Sequence, residues 1–119
     1  MTKILVIDDD PDVRTVMDIF LKKQGYKVET ASKKEEAWEK LEQFKPSLVL
    51  VDVLLSGSDG RTLCREIKEN KEMKDIPVIM LSAHPGAAEN ISSYGADDFI
   101  AKPLNTEVLL SKLNQNLQK

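Results

Sequence analysis

Residues 3–10 read KILVIDDD and residues 47–52 read SLVLVD, two apolar runs that each end in acidic side chains. Short runs of apolar, β-branched residues are typical of strands that are buried on both faces of a parallel sheet. Three more short runs alternate along the chain with stretches of helical period. The sequence therefore predicts an α/β domain in which each strand is followed by a helix.

The pattern predicts five strands and five helices. The strands are expected at Lys3 to Ile7, Tyr26 to Ala31, Ser47 to Val51, Ile76 to Leu81 and Asp98 to Ala101. Right-handed crossovers then give a doubly wound, five-stranded parallel sheet of order 2-1-3-4-5, which is a flavodoxin-like three-layer sandwich. The fourth helix, from about Pro85 to Tyr94, is expected to be the weakest and most mobile, because Gly86, Asn90 and two serines have low helix propensity.

Length and composition indicate one small domain, residues 1–119. The chain has 17 Lys plus Arg against 20 Asp plus Glu, a formal net charge of −3 and one cysteine, Cys64. That balance gives no basic surface for nucleic acid, and no apolar stretch has the length of a membrane span or signal peptide. A single cysteine forms no intrachain disulfide and fits a reducing compartment. We expect a cytoplasmic protein that contacts neither membrane nor nucleic acid directly.

Acidic residues follow the two apolar runs. In the predicted sheet order the winding reverses between the first and third strands, so Asp8, Asp9 and Asp52 are expected to meet at one crevice. Two unit charges about 4 Å apart repel by about 4 kcal/mol at an effective dielectric constant of about 20. A hard divalent cation relieves that repulsion, and we expect Mg²⁺, with Mn²⁺ as an alternative ion. Asp10 is instead expected to cap the next helix, ahead of Pro11.

A hydroxyl group and an ammonium group are expected at the same edge of the sheet. Ser82 ends the fourth strand, and Lys102 follows the fifth strand directly before Pro103. Both groups can bind oxygen atoms that the acids alone would repel, so the set predicts a phosphoryl-binding pocket. A cis peptide between Lys102 and Pro103 would aim the lysine inward.

The order of these motifs resembles the receiver domain of two-component response regulators, and is similar to the chemotaxis-type single-domain regulators. ILVIDDD, LVLVDVLLSGSDG, VIMLSA and GADDFIAKP follow in the family's order over essentially the whole chain. The resemblance implies that Asp52 is the phosphoacceptor, and that the metal ligands are Asp8, Asp9, Asp52 and the Leu54 carbonyl oxygen. It implies that Ser82 and Lys102 bind the phosphoryl group and that Ser82 and Phe99 are the switch residues. Leu54 and His84 are the residues that would tune the lifetime of the phosphoryl group. The chain departs from the family pattern at Leu55 and Ser56, where Met-Pro is usual, which predicts a more flexible loop.

The resemblance implies a signalling phosphoacceptor rather than an enzyme with a separate substrate. A phosphoryl group would pass to Asp52 from a sensor histidine kinase or a histidine phosphotransfer protein. The domain would catalyse only its own phosphotransfer and autodephosphorylation. Its fourth helix, fifth strand and fifth helix would then bind a downstream effector domain or protein, or a second copy in a phosphorylation-dependent dimer.

Other classes of protein share part of this pattern. A phosphatase of the haloacid dehalogenase type would carry Asp-x-Asp after its first strand and a cap domain, whereas Asp52 is followed by Val53 and Leu54. A flavodoxin-like FMN binder needs a loop rich in Gly, Ser or Thr where this chain has three aspartates. The remaining alternative is a phosphorylation-independent, receiver-like interaction module, whose mark would be the loss of an acid, the hydroxyl or the lysine.

Overall fold

The chain folds as alternating strands and helices. The computed structural model of the protein describes residues 2–55 and 57–118, except for the side chains at positions 85 and 87–90. Ser56, in the loop expected to be flexible, lies outside the described residues. The described elements, in chain order, are β1 (Lys3–Ile7), α1 (Pro11–Lys23), β2 (Lys27–Ala31), α2 (Lys34–Phe44), β3 (Leu48–Asp52), β4 (Leu54–Leu55), β5 (Ser58–Asp59), α3 (Gly60–Glu69), β6 (Val78–Ser82), a 3₁₀ helix (Pro85–Tyr94), β7 (Asp98–Ala101) and α4 (Thr106–Leu117).

Five of the strands form one parallel sheet in the order β2-β1-β3-β6-β7. This is the predicted doubly wound order, with the predicted fourth and fifth strands present as β6 and β7. β1 lies between β2 and β3, and Ile4 stands opposite both Val28 and Leu48. Every residue of β3 is buried, as its continuous apolar run predicts.

Helices cover both faces of this sheet, so the core has two halves. One half lies under α1 and α4 and includes Met17, Leu21, Leu109 and Leu113. The other half lies under α2, α3 and the 3₁₀ helix and includes Ala37, Leu41, Leu63, Cys64, Ile67 and Ile91. Each buried leucine or isoleucine contributes about 1.5–3 kcal/mol to folding. This burial on both faces holds the strands in register and so fixes where their carboxyl ends lie.

Two local features differ from the sequence prediction. Residues Pro85–Tyr94 form a 3₁₀ helix rather than an α-helix, since their low helix propensity is not offset by a side-chain cap at His84. A short antiparallel pair also joins Leu54 to Asp59 and Leu55 to Ser58, between β3 and α3. Pairs of two residues carry no periodicity that a sequence pattern could reveal.

Two smaller predictions are confirmed near the site. Asp10 caps α1, because its side chain accepts a hydrogen bond of 2.9 Å from the Asp12 N–H, and Pro11 is the first helical residue. The Lys102–Pro103 peptide bond is cis. No helix in the described residues has the length and apolar character needed to cross a membrane.

Cys64 behaves as a core residue. It is fully buried in the half of the core under α3, and its Sγ donates to the Tyr94 carbonyl oxygen at 3.5 Å. Burial raises the pKa of its thiol to about 11, which disfavours the reactive thiolate. The structure therefore favours a packing role for this thiol.

We predict that Lys45→Gly stabilises the protein by about 1 kcal/mol, because Lys45 ends α2 with φ 52° and ψ 66°, a left-handed conformation that favours glycine. Urea denaturation measures the change. The control is Glu42→Gly at an exposed position inside the same helix, which should destabilise by about 1 kcal/mol. Equal destabilisation by both substitutions would contradict the prediction.

Candidate functional site

Three carboxylates meet at the carboxyl ends of β1 and β3. Asp8 follows β1, and its N–H extends the pairing with β2 by donating to the Ala31 carbonyl oxygen at 3.0 Å. Asp8 has no exposed surface and Asp52 only 9%, whereas Asp9 is exposed. One carboxylate oxygen from each of these three residues lies within 4.8 Å of the others. The acids predicted to meet at the crevice do so, and two of them are buried.

The Lys102 ammonium group lies between the two buried acids. Its Nζ donates to Asp8 Oδ2 at 2.7 Å and to Asp52 Oδ2 at 2.9 Å. The Lys102 N–H also donates to the Ser82 carbonyl oxygen at 2.9 Å, which fixes the backbone beyond β7 against the end of β6. The Lys102 ammonium group therefore pairs with two of the three carboxylates, so the three acids outnumber the one ammonium group among them.

The buried charges shift each other's ionisation. Burial raises the pKa of Asp52, and the neighbouring Asp8 carboxylate raises it further, against hydrogen bonds from Lys102 and the Leu54 N–H. Burial opposes the charge on Lys102, but its hydrogen bonds and ion pairs with Asp8 and Asp52 outweigh that effect and raise its pKa. The lysine thus stays cationic at neutral pH, while Asp52 pays a desolvation cost for remaining ionised.

Ser82 and Phe99 lie on the neighbouring strands β6 and β7. Ser82 is 2% exposed, and its Oγ accepts a hydrogen bond of 3.0 Å from the His84 N–H. In the sheet register Ser82 stands opposite Ala101, one residue before the lysine. Phe99 is half-buried against the core under α3. The hydroxyl and the lysine therefore share the edge at which the acids meet, as predicted.

Leu54 and His84 border an open cavity of about 310 Å³. The Leu54 N–H donates to Asp52 Oδ1 at 3.2 Å, while its side chain is 53% exposed. The cavity is lined by Val53, Leu54, Arg61, His84 and Gly86. The two side chains that the family resemblance singled out for phosphoryl lifetime thus face the same space.

The sequence analysis missed two residues, Gly60 and Arg14, that contact the main chain of the site. A Cβ on Gly60 would lie 1.8 Å from the Asp52 carbonyl oxygen, so only glycine allows α3 to begin this close to β3. Arg14 Nη1 donates to the Asp8 carbonyl oxygen at 2.7 Å. Both residues contact main-chain oxygens, and the one available signal was the Asp59-Gly60 pair within LVLVDVLLSGSDG.

The donor set fits a hard divalent cation. Asp8, Asp9 and Asp52 offer only oxygen ligands, and one ammonium group does not neutralise them. Mg²⁺ prefers carboxylate and carbonyl oxygens and usually retains several waters, which suits a site with one exposed acid. These residues therefore fit the ion that the sequence predicted.

The chain matches a known protein family and solved structures of other proteins. The family described as "Response regulator receiver domain" matches residues 4–114. A two-component response regulator from Clostridium difficile is 32% identical with a TM-score of 0.90, covering 100% of this chain and 98% of its own. The BeF3-activated N-terminal receiver domain of Klebsiella pneumoniae RstA is 32% identical with a TM-score of 0.89, covering 99% and 100%.

A chemotaxis protein also matches. Vibrio cholerae CheY4 is 28% identical with a TM-score of 0.90, covering 97% of this chain and 98% of its own. The predicted resemblance to receiver domains, including those of the chemotaxis type, is confirmed. The family match spans nearly the whole chain and includes the strands that bring the acids and the lysine together. The chain belongs to the response regulator receiver domain family of two-component systems.

Proposed function

We propose that this domain accepts a phosphoryl group on Asp52 from a sensor histidine kinase or a histidine phosphotransfer protein, with Mg²⁺ as its cofactor. The observation that carries the proposal is the meeting of three carboxylates and one ammonium group at one edge of the sheet. The family membership supports the same chemistry. An acid, a lysine and a hydroxyl group are all present, which argues against the phosphorylation-independent interaction module.

Asp52 supplies the nucleophile. One of its carboxylate oxygens attacks the phosphorus of a phosphohistidine, the P–N bond breaks, and the electron pair returns to the imidazole, which takes up a proton. Burial and the adjacent carboxylate disfavour the ionised acid, so the metal-free site is poorly prepared for this step. Bound Mg²⁺ would neutralise charge on the transferred group, and Asp8, Asp9, Asp52 and the Leu54 carbonyl oxygen would hold it.

Lys102 and Ser82 would bind the transferred group. The Lys102 ammonium already touches Asp52 Oδ2, so a phosphoryl group formed there arrives within its reach. Two negative charges and three acceptor oxygens on Asp52 would compete with Asp8 for that ammonium. The Ser82 hydroxyl group would turn from its contact with the His84 N–H toward a phosphoryl oxygen.

The consequence would be a change on the face formed by the 3₁₀ helix, β7 and α4. His84 directly precedes the 3₁₀ helix, and Phe99 lies beside Met80 in the sheet register. Movement of Ser82 would free the His84 N–H and let Phe99 turn inward. A helix without a side-chain cap at its start is suited to a small energy difference between two conformations.

This face would bind a downstream effector domain or protein, or a second copy of the domain after phosphorylation. The similar receiver domain of Klebsiella pneumoniae RstA is described as BeF3-activated, which supports a switch of this kind. The domain would act in the cytoplasm as a signalling phosphoacceptor and would catalyse only its own phosphotransfer and autodephosphorylation.

The direct test is incubation with acetyl phosphate and Mg²⁺, followed by intact-mass measurement. Wild type should gain one phosphoryl group, because Asp52 contacts the Lys102 ammonium group and is 9% exposed, whereas Asp8 is fully buried. Asp52→Asn should gain none, and EDTA should abolish the gain in wild type. Absence of any gain in folded wild-type protein would favour the interaction module.

We predict that Leu54→Asn shortens the life of the phosphorylated protein several-fold. The Leu54 side chain is 53% exposed beside the cavity and cannot hydrogen-bond an attacking water, whereas an asparagine amide can orient one. Decay of the phosphorylated form in the presence of Mg²⁺, followed by gel shift after the small-molecule phosphoryl donor has been removed, measures the rate. Leu54→Met is the apolar control, and a decay rate unchanged by Leu54→Asn would refute the idea.

We predict opposite pH dependences for two aspartates in metal-free protein. Because the folded-state pKa of Asp52 is raised, the folded protein binds the proton first, and the stability of wild type relative to Asp52→Asn should rise as pH falls through that pKa. The Arg61 hydrogen bond lowers the pKa of Asp59, so its contribution is present at neutral pH and is lost at low pH.

Urea unfolding with EDTA, between about pH 2.5 and pH 7, measures both relative stabilities. Asp59→Asn is the matched control, since asparagine still caps α3 and only the charge is removed. As the pH falls, the free energy of unfolding of wild type should rise relative to that of Asp52→Asn and fall relative to that of Asp59→Asn. A common sign for the two variants would show that burial does not dominate at Asp52.

A further inference from the structure

Arg14 reaches from α1 to the main chain of the acidic cluster. It is half-buried in the first turns of α1, and its Nη1 donates to the Asp8 carbonyl oxygen at 2.7 Å. A hydrogen bond from a charged donor is about twice as strong as a neutral one. The guanidinium group therefore binds the backbone of a candidate metal ligand without touching its carboxylate.

The end of the sheet explains why this carbonyl oxygen takes a side-chain donor. Asp8 is fully buried, and its own N–H makes the last contact with β2, at Ala31. Beyond Ala31 the chain leaves the sheet, and Lys33 is the residue that caps α2 at its start. In a parallel ladder the Asp8 carbonyl oxygen would accept from the N–H two residues beyond Ala31, at Lys33. β2 ends at Ala31, so the ladder does not supply that donor, and a buried carbonyl oxygen requires one.

The oxygen that Arg14 holds belongs to the peptide unit between Asp8 and Asp9. Because that unit is planar, fixing its oxygen also fixes the Asp9 N–H and the direction in which Asp9 leaves the strand. The Asp8 carboxylate is oriented separately, because it accepts hydrogen bonds from the Asp10 N–H at 3.0 Å and from Lys102. Asp9 is exposed, so the orientation of its carboxylate depends on this peptide.

The charge of Arg14 has a partner outside the acidic cluster. Arg14 and Glu36 line the same open cavity of about 420 Å³, and their attraction helps to lower the pKa of Glu36, after its stronger hydrogen bonds to Ser32. Lys22 lines this cavity as well and pairs with Asp18 at 3.1 Å on the same helix. Lys22 therefore offers a cation of matched sign that does not contact Asp8.

We infer that Arg14 is a positioning residue for Mg²⁺, which sets the Asp8–Asp9 peptide so that the exposed Asp9 carboxylate faces the other two acids. This inference rests on the proposed function, since it concerns the same metal site. Positioning and simple electrostatics make opposite predictions. Removal of a nearby cation should strengthen Mg²⁺ binding if only charge matters, and should weaken it if Arg14 orients a ligand.

The experiment is an NMR titration of the unphosphorylated protein with MgCl₂, following backbone amide shifts near the acids. Arg14→Met should weaken Mg²⁺ binding about tenfold relative to Lys22→Met, as the loss of a partner that orients a metal ligand typically does. Arg14→Lys, which keeps a charged donor, should recover most of the affinity. In metal-free Arg14→Met the Asp9 amide should shift more than in Lys22→Met, because the Asp8 carbonyl oxygen has lost its donor.

The outcomes separate this inference from the proposed function. If wild type does not bind Mg²⁺, the proposed metal site fails and the inference fails with it. If wild type binds but Arg14→Met binds within about threefold of Lys22→Met, or more tightly, only the inference is overturned. Thermal unfolding checks that each variant is folded. Should Arg14→Met not fold, Arg14→Gln, which is neutral and shorter, takes its place under the same criteria.

Discussion

The ammonium group of Lys102, held between Asp8 and Asp52, is the interaction on which the rest of this site depends. Two carboxylates buried side by side are costly unless a cation pairs with them, and here a single lysine contacts both. The lysine follows β7, whereas the acids end β1 and β3, so β6 lies between the cation and its partners. Such a contact requires four strands to end at the same level, and burial of both sheet faces keeps them there.

The same arrangement leaves the site short of positive charge. Asp9 adds a third carboxylate within 4.8 Å and has an exposed position, while the lysine already serves two acids. Burial acts on Asp52 more strongly than the hydrogen bonds that favour its charge, and its pKa is raised as a result. The domain therefore carries an acid that its own side chains do not fully neutralise. That deficit favours a divalent cation at this site, and under the proposed function the cation would also offset the negative charge of a phosphoryl group.

Much of this could be predicted from the sequence, because the decisive signals are local and strong. Apolar runs such as ILVI and LVLV are long enough to be strands, and parallel order places the residues after them together. The weak helix from Pro85 to Tyr94 could be predicted to be poor, but its 3₁₀ geometry could not, since propensity does not select between two helix types. Arg14 and Gly60 left no comparable signal, because each contacts a main-chain carbonyl oxygen, and such a contact leaves no periodic pattern in the sequence.

Under the proposed function, a change at Asp52 would reach the 3₁₀ helix from two sides. At its start, the His84 N–H donates to the Ser82 hydroxyl group. Ser82 follows Leu81, the residue that stands opposite Asp52 in the sheet register. At its end, Tyr94 lies under the guanidinium groups of Arg61 and Arg65 at 5.6 and 4.5 Å, and α3 begins against the Asp52 carbonyl oxygen. The first connection depends on a single neutral hydrogen bond, whereas the second combines backbone contact with two cation–π contacts. Under the proposed function the start of the helix would therefore give way first, with its end held against α3.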